Sequence, residues 1–396
     1  MTASSLRVAI SGAGVAGPAL AHWLLRCGHR PTLIEQAPAF RTGGYIIDFW
    51  GTGYRIAQRM GIEQAVRAAG YQVQRLESVD DEGRVQASMH TDVFERLTDG
   101  LFTSLPRGDL AATIYATVAD SCETLFGDSI TAIDPRHDRV DITLGNGGAR
   151  SFDLVVGADG LHSNVRRLVF GPDTDFEHYL GCRVAACVVD GYRPRDELVY
   201  VTHNVPGRQA ARFTLRGDRS LFLFVFRSQD TTDPGGLGAR KALLRRKFAD
   251  AGWECPRMLD ALDDAEDLYL DVVSQVRMAN WSRGCVALIG DAAACISLLG
   301  GEGTGLAMTE AYTLAGELQR AGGDYRQAFP AYEARLRSLI ARKQRAAQGF
   351  IGFFAARTAL GVWLRNLGIR AMNKPWLTGL IAGSVRDDFD LPDYGM

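Results

Sequence analysis

The sequence predicts an α/β fold: a parallel sheet, an inserted and mostly antiparallel β-sheet, and a C-terminal helical segment. Three observations predict it. Apolar runs of buried-strand type end in glycine at three distant places, Ile10-Ser11-Gly12, Val156-Gly157-Ala158-Asp159-Gly160 and Ile289-Gly290-Asp291. Between about residues 176 and 276 the texture changes to short β-type runs separated by turn residues. Beyond residue 300 helical periodicity takes over and runs to about residue 372.

The first element is the most informative. Leu6, Val8 and Ile10 form an apolar strand, Gly12-x-Gly14-x-x-Gly17 follows with Val15 and Ala16 inside it, then a helix, then a strand through Thr32, Leu33 and Ile34 that ends at Glu35-Gln36. This is the order of a Rossmann-type dinucleotide site. Gly12 permits a tight turn, Gly14 lets a pyrophosphate approach the backbone, and Gly17 allows close helix packing. The helix N-terminus offers free N–H groups to phosphate. Glu35 follows the first glycine by 23 residues, near the spacing at which a carboxylate accepts from a ribose hydroxyl.

Later elements follow in order. Gly51–Ala69 reads as one helix, with Ile56, Met60, Ile62 and Val66 at helical spacing. Residues 71–79 and 84–90 read as a hairpin turned at Asp81-Glu82-Gly83, and Asp109–Cys122 as an amphipathic helix. Short strands are expected at Ile130–Ile133 and Val140–Thr143, and a buried strand at Leu154-Val155-Val156. Runs at 182–189, 197–203, 209–215 and 220–227, with Leu268–Val276, supply the inserted sheet. The basic stretch Ala239–Ala251 reads as a helix with a solvated charged face. Phe213, Phe222, Phe224 and Phe226 either line a pocket for a flat apolar ligand or pack on the helices. A glycine-rich turn (Gly300, Gly301, Gly303, Gly305) precedes a helix over Leu306–Ala321, and the acidic tail Asp387–Met396 reads as irregular.

Composition narrows the classes. A chain of 396 residues suggests two domains or one large composite. The net charge of −2 gives no pull toward nucleic acid. Seven scattered cysteines with no C-x-x-C pair read as reduced, mostly buried thiols, and the seven histidines lack metal-ligand spacing, so no metal site is expected. The N-terminal strand begins at once and shows no cleavage region, which predicts a cytoplasmic protein without a signal peptide. Gly349–Leu364 comes nearest to a membrane span, but Arg357 interrupts it and it falls short of the roughly 20 residues a span needs. A packing helix is expected there.

In a parallel sheet, ligands bind beyond the carboxyl ends of the strands. Three polar strand ends far apart in sequence therefore suggest one extended ligand. At these residues the chain resembles the single-component FAD-dependent aromatic hydroxylases, the para-hydroxybenzoate hydroxylase-like monooxygenases, over nearly its whole length. Gly12-x-Gly14-x-x-Gly17 with Glu35 matches the family's FAD motif. Asp159-Gly160-x-x-Ser163-x-x-Arg166 matches its second motif, which serves FAD and transient NAD(P)H, and Gly290-Asp291-Ala292-Ala293 its third, in which the Asp meets the ribityl chain. Arg107 occupies the place of a flavin-contacting arginine. Gly43-Gly44 with Asp48 resembles the loop passing the flavin in tetracycline-degrading members, and Arg41 is a further candidate. Gly301, Gly303, Thr304 and Gly305 would bring a helix N-terminus to the flavin's pyrimidine edge, where it stabilises negative charge.

The resemblance implies an FAD-binding domain over 1–70, 100–175 and 277–345, a substrate-binding domain over 71–99 and 176–276, and a helical segment over 346–396. It also implies an FAD monooxygenase that uses NAD(P)H and dioxygen, through a flavin hydroperoxide, to hydroxylate an aromatic or polyketide-like molecule. Plainer readings stand beside it. Asp159 and Asp291 also suit helix caps or turns, and Arg107 a surface ion pair. Glu302 is either a tuned acid or an outward-facing residue. Where the family has His and a Pro-Pro pair, this chain has Ala294, Ser297 and Leu298. That keeps a flavin dehydrogenase or oxidase, or a non-redox flavin-binding protein, as alternatives. No catalytic base is selected by spacing; His178, Tyr200 and His203 are the available candidates.

Overall fold

The structure, a computed structural model, describes residues 5–40, 45–92, 98, 100–137, 139–374 and 389–396. Its first sheet contains β1 (Arg7–Ser11), β2 (Arg30–Glu35), β7 (Glu123–Phe126), β11 (Leu154–Gly157), β17 (Ser282–Arg283) and β18 (Val286–Leu288), in the order β17-β18-β11-β1-β2-β7. All neighbours are parallel except the β17–β18 edge pair. Ser11 pairs with Gly157 and Gly157 with Leu288, so three carboxyl ends lie side by side. The central strands are buried on both faces, which explains their unbroken apolar character. Helix α1 (Ala16–Arg26) makes the crossover from β1 to β2.

The region read as one helix over Gly51–Ala69 is two, α2 (Gly51–Arg59) and α3 (Glu63–Ala69). Gly61, at φ +74°, breaks the run in a left-handed conformation that few other residues adopt. Before it, β3 (Ile46–Trp50) pairs with β6 (Phe102–Pro106), and α4 (Arg107–Ala116) follows at once. Strands β8 (Ile130–Pro135), β9 (Val140–Leu144) and β10 (Ala149–Phe152) form a separate meander, and α5 (Asn164–Val169) leaves the end of β11.

The second large sheet has seven strands in the order β16-β12-β15-β14-β13-β4-β5. They are β4 (Arg75–Val79), β5 (Val85–His90), β12 (Glu177–Asp190), β13 (Val199–Val205), β14 (Arg208–Leu215), β15 (Arg219–Arg227) and β16 (Tyr269–Val276). Only β13–β4 is parallel. Side chains alternate between its faces. Phe222, Phe224 and Phe226 lie on the face covered by α6 (Leu237–Phe248) and α7 (Cys255–Ala261), packed with Phe248. They are core residues and do not line the site. The opposite face presents Ala186, Leu221 and Phe213. Lys241, read as part of a solvated face, is buried and donates from Nζ to the carbonyls of Asp263 and Ala265.

The chain then returns through the short helix α8 (Asp291–Ala294) to three long helices, α9 (Gly303–Arg320), α10 (Tyr325–Phe354) and α11 (Ala359–Met372). Residues 389–396 have no regular structure but are anchored. The Tyr394 hydroxyl donates to Glu317 at 2.6 Å, and the Pro392 carbonyl accepts from Arg59 and Tyr312. All seven cysteines are free and six are buried. Among the described residues no group of His, Cys, Asp and Glu could hold a metal ion, and no helix is long and apolar enough to cross a membrane.

Candidate functional site

A cleft of about 1280 Å³ runs from the glycine turn after β1 to the face of the seven-stranded sheet. It is lined at one end by Gly12–Ala16, Glu35 and Gln36, in the middle by Arg107, Asp159, Gly160, Asp291, Gly301, Gly303 and Thr304, and at the far end by Ala186, Val188 and Leu221. Most of the residues singled out from sequence therefore share one space. Gly17, Asp48, Gly290 and Gly305 do not line it. Arg41 and Gly44, with Gly43, lie outside the described residues.

The glycine turn is built by sterics. A Cβ on Gly12 would fall 2.5 Å from the Ala158 carbonyl oxygen, and one on Gly17 would fall 2.0 Å from the Gly12 carbonyl oxygen. A Cβ on Gly14 would meet only the Arg107 guanidinium, at 3.7 Å, because that glycine faces the cleft. Glu35 is fixed from behind: its two oxygens accept the N–H groups of Ala13 (2.7 Å) and Ala37 (2.8 Å). A carboxylate has lone pairs for about four partners, so acceptor capacity remains.

The other two strand ends are tied to each other and to this turn. Asp159 accepts from Ser11 Oγ (3.3 Å), Ser163 Oγ and the Val165 N–H (3.0 Å), so it organises the start of α5 while lining the cleft. Arg166 is fully buried; it donates to the Ala292 carbonyl at 3.0 Å and to Asp173 at 2.5 Å. It thereby clamps the loop at β11 to the Gly290-Asp291 turn. Gly290 has φ +63° and donates its N–H to Glu310 on α9 at 2.5 Å. Burial raises the Glu310 carboxyl to about 8. Asp291 lies at the start of α8, with its Oδ1 3.6 Å from where a Cβ of Gly303 would stand. Cys295 is buried, which holds its thiol protonated and removes it as a nucleophile.

Arg107 opens α4 and its side chain is exposed to the cleft. Its guanidinium makes no hydrogen bond or ion pair among the described residues, so the surface ion-pair reading does not hold. Asp48 lies on β3 in a narrow side pocket with Trp50, Gly301, Gly305 and Lys343. It accepts from Ser104 Oγ at 2.5 Å, and desolvation in that depth raises its carboxyl above the usual range. Gly305 faces Gly53 at the crossing of α9 and α2, where a Cβ on Gly53 would come within 2.3 Å of the Gly305 Cα. Glu302 is neither free acid nor solvated: it forms an ion pair with the buried Lys343 of α10.

The sequence reading missed four cleft residues. Tyr45 sits against Tyr269, ring centroids 5.7 Å apart. The Tyr269 hydroxyl donates to Asp271 Oδ2 at 3.1 Å, and His162 Nε2 lies 3.1 and 3.2 Å from the two Asp271 oxygens. The hydrogen bond that Asp271 accepts raises the His162 imidazole above its ordinary value and helps hold the Asp271 carboxyl below its own. An aspartate inside the apolar strand Leu268–Val276 was the available signal. His178, Tyr200 and His203 do not line the cleft. His203 is buried, with Nδ1 against the Val79 carbonyl.

The donor set fits FAD. Helices α1 and α9 both begin at the cleft, and neither has a side-chain cap or an acidic residue in its first turn. Their first N–H groups, together with the unpaired Arg107, make the cleft receptive to an anion such as a pyrophosphate.

Comparisons with known proteins agree with this geometry. A family model described as an FAD binding domain matches residues 5–324. An uncharacterized protein of Mycobacterium tuberculosis is 38% identical over 344 residues, covering 85% of this chain and 91% of its own. A flavin-dependent monooxygenase of Legionella longbeachae is 34% identical over 352 residues, covering 86% of this chain and 87% of its own. The crystal structure of the tetracycline destructase Tet(55) superposes with a TM-score of 0.84 at 30% identity, covering all of both chains. The three strand-end motifs, the shared fold and these relatives place the chain in the FAD-dependent monooxygenases of the aromatic hydroxylase-like family.

Proposed function

We propose that this enzyme hydroxylates a flat aromatic or polyketide-like small molecule with NAD(P)H and dioxygen. The observation that carries the reading is the continuity of the cleft. It joins the glycine turn and Glu35 to the apolar sheet face at Ala186, Val188 and Leu221 without a break. Its volume of about 1280 Å³ exceeds the roughly 300–1,000 Å³ of a pocket for one small ligand, which supports a cofactor and a substrate side by side. The structural relative Tet(55) is described as a tetracycline destructase, in keeping with this substrate class.

In this reading 1–70, 100–175 and 277–345 form the FAD-binding unit and 71–99 and 176–276 the substrate-binding unit. Gly12, Gly14, Val15 and Ala16 would take the pyrophosphate, Glu35 and Gln36 the adenosine ribose, and Asp159 and Asp291 the linking hydroxyls. Arg107 and the α9 N-terminus at Gly303-Thr304 would face the ring. The chemistry FAD supplies when bound is two-electron transfer from NAD(P)H and activation of dioxygen. The chain's own residues do the rest. The α9 dipole and Arg107 favour negative charge beside them. Tyr45, Ile47 and Leu298 wall the centre of the cleft and keep it dry. Asp271 orients the Tyr269 hydroxyl inward and holds a proton on His162 Nε2 at the rim.

Turnover under heavy-isotope dioxygen tests this. Purified protein supplied with NAD(P)H and phenolic polycyclic compounds should yield a product carrying one labelled oxygen atom. Anaerobic turnover with an artificial electron acceptor and an unlabelled product would instead establish a dehydrogenase, the reading that the Ala294–Leu298 segment keeps open.

A further inference from the structure

Helix α11 is inside out. Its inward side holds Arg365 and Ile369, both buried. Arg365 donates to the Phe353 carbonyl (2.8 Å), Ser78 Oγ (3.0 Å) and Thr202 Oγ1 (3.3 Å), and Ile369 packs on Ala87 and Met89 of β5. Its outward side presents Leu360, Trp363, Leu364 and Leu367, which are 65%, 58%, 52% and 46% exposed. Those four positions recur at i, i+3, i+4 and i+7 and make one stripe. A surface helix ordinarily buries the leucines and exposes the arginine. Here the arginine pins the helix to the protein and the leucines and tryptophan face outward. Contiguous apolar stripes of this kind mark interaction surfaces.

The surrounding charge names the partner. From residue 334 to residue 386 the sequence has ten Lys and Arg and no Asp or Glu, in a chain whose net charge is −2. Arg357 just before α11 and Lys374 just after it are exposed and form no ion pair among the described residues. An isologous dimer through this stripe would set the same basic patch against itself. An anionic bilayer satisfies both features: acyl chains take the leucines and tryptophan, and acidic headgroups take the flanking cations. We propose that α11 is an interfacial anchor that seats the enzyme on anionic lipid surfaces without crossing them.

Flotation with lipid vesicles tests this on the full-length flavoprotein. Vesicles of phosphatidylcholine doped with phosphatidylglycerol should recover roughly tenfold more protein than phosphatidylcholine alone, and high salt should abolish the difference. The double variant Trp363→Ser/Leu364→Ser should fall to background with an unchanged thermal midpoint. Arg357→Glu should lose the preference for anionic vesicles. No enrichment on anionic vesicles overturns the proposal. So does a solution dimer that the double variant splits, since that would make a second copy the occupant.

Discussion

Gly14 and Gly17 stand three residues apart in one motif, yet the structure assigns them opposite duties, and a pair of alanine substitutions separates these. At position 14 an added Cβ finds only the Arg107 guanidinium, at 3.7 Å, an ordinary contact with a mobile group. The apoprotein should tolerate it, with its melting temperature unchanged. The methyl would, however, fill the space that the proposed function gives to a pyrophosphate. Overpacking costs about 1–3 kcal/mol, and each 1.4 kcal/mol is about tenfold in Kd, so Gly14→Ala should weaken FAD binding roughly 5- to 150-fold. At position 17 the Cβ falls 2.0 Å from the Gly12 carbonyl oxygen and 3.3 Å from Ile10 Cγ2. Helix α1 must then lift by about 1 Å, since real carbon–oxygen contacts of this kind stay beyond roughly 3 Å. Gly17→Ala should destabilise the apoprotein itself by about 1–3 kcal/mol. Flavin fluorescence quenching on titration of apoprotein gives the affinities, and thermal melts of the same preparations give the stabilities. A Gly14→Ala protein that binds FAD as the parent does, or that loses FAD only together with its fold, refutes the reasoning.

Further expectations concern buried charge. The Glu310 carboxyl is raised to about 8 by burial, above its unfolded value. Its contribution to stability is therefore complete below about pH 4.5 and is lost as pH rises through about 8. Glu310→Gln should flatten that part of the melting temperature–pH curve, and an unchanged slope would count against it. Removing the Asp271 carboxylate with Asp271→Asn should lower the His162 titration toward about 6.5, read by imidazole NMR; any rise contradicts the pairing seen here. Truncating Arg166, buried between Asp173 and Ala292, should cost about 1–3 kcal/mol because the backbone carbonyls of Leu161 and Ala292 lose their donor while Asp173 keeps Arg167. A chemical denaturation midpoint within error of the parent's would show the clamp to be dispensable. Breaking the Glu302–Lys343 pair with Glu302→Gln should cost about 1–3 kcal/mol in the same assay, since Lys343 is buried beside α9.

Where sequence reading succeeded, the reason was local. A strand buried on both faces leaves a continuous apolar run, and its carboxyl end leaves glycine and aspartate; β1, β11 and β18 all carry that mark. The turn at Asp81-Glu82-Gly83 and the strands on both sides of Pro206-Gly207 were legible by the same punctuation. What failed was long-range. Nothing near Phe222, Phe224 and Phe226 tells which face of their strand meets helices, because a slip of one residue exchanges the two faces. Lys241 lies in a run of five cations, and only the fold selects it for the carbonyls of Asp263 and Ala265. The cluster of Tyr45, His162, Tyr269 and Asp271 draws on three separated segments, so no spacing in the sequence announces it.

The strand order also sets a schedule for synthesis. Val8 pairs with Leu154, and Val155 with Val286. At roughly 5–20 residues per second, β1 leaves the ribosome some 7–30 s before its neighbour on that side exists. The glycine turn after β1 stays half-walled until then. During that wait β1 can pair only with β2 and then β7, and its other edge stands open. A chaperone or the ribosome surface has that edge to shield, and slow codons between residues 35 and 154 would lengthen its exposure.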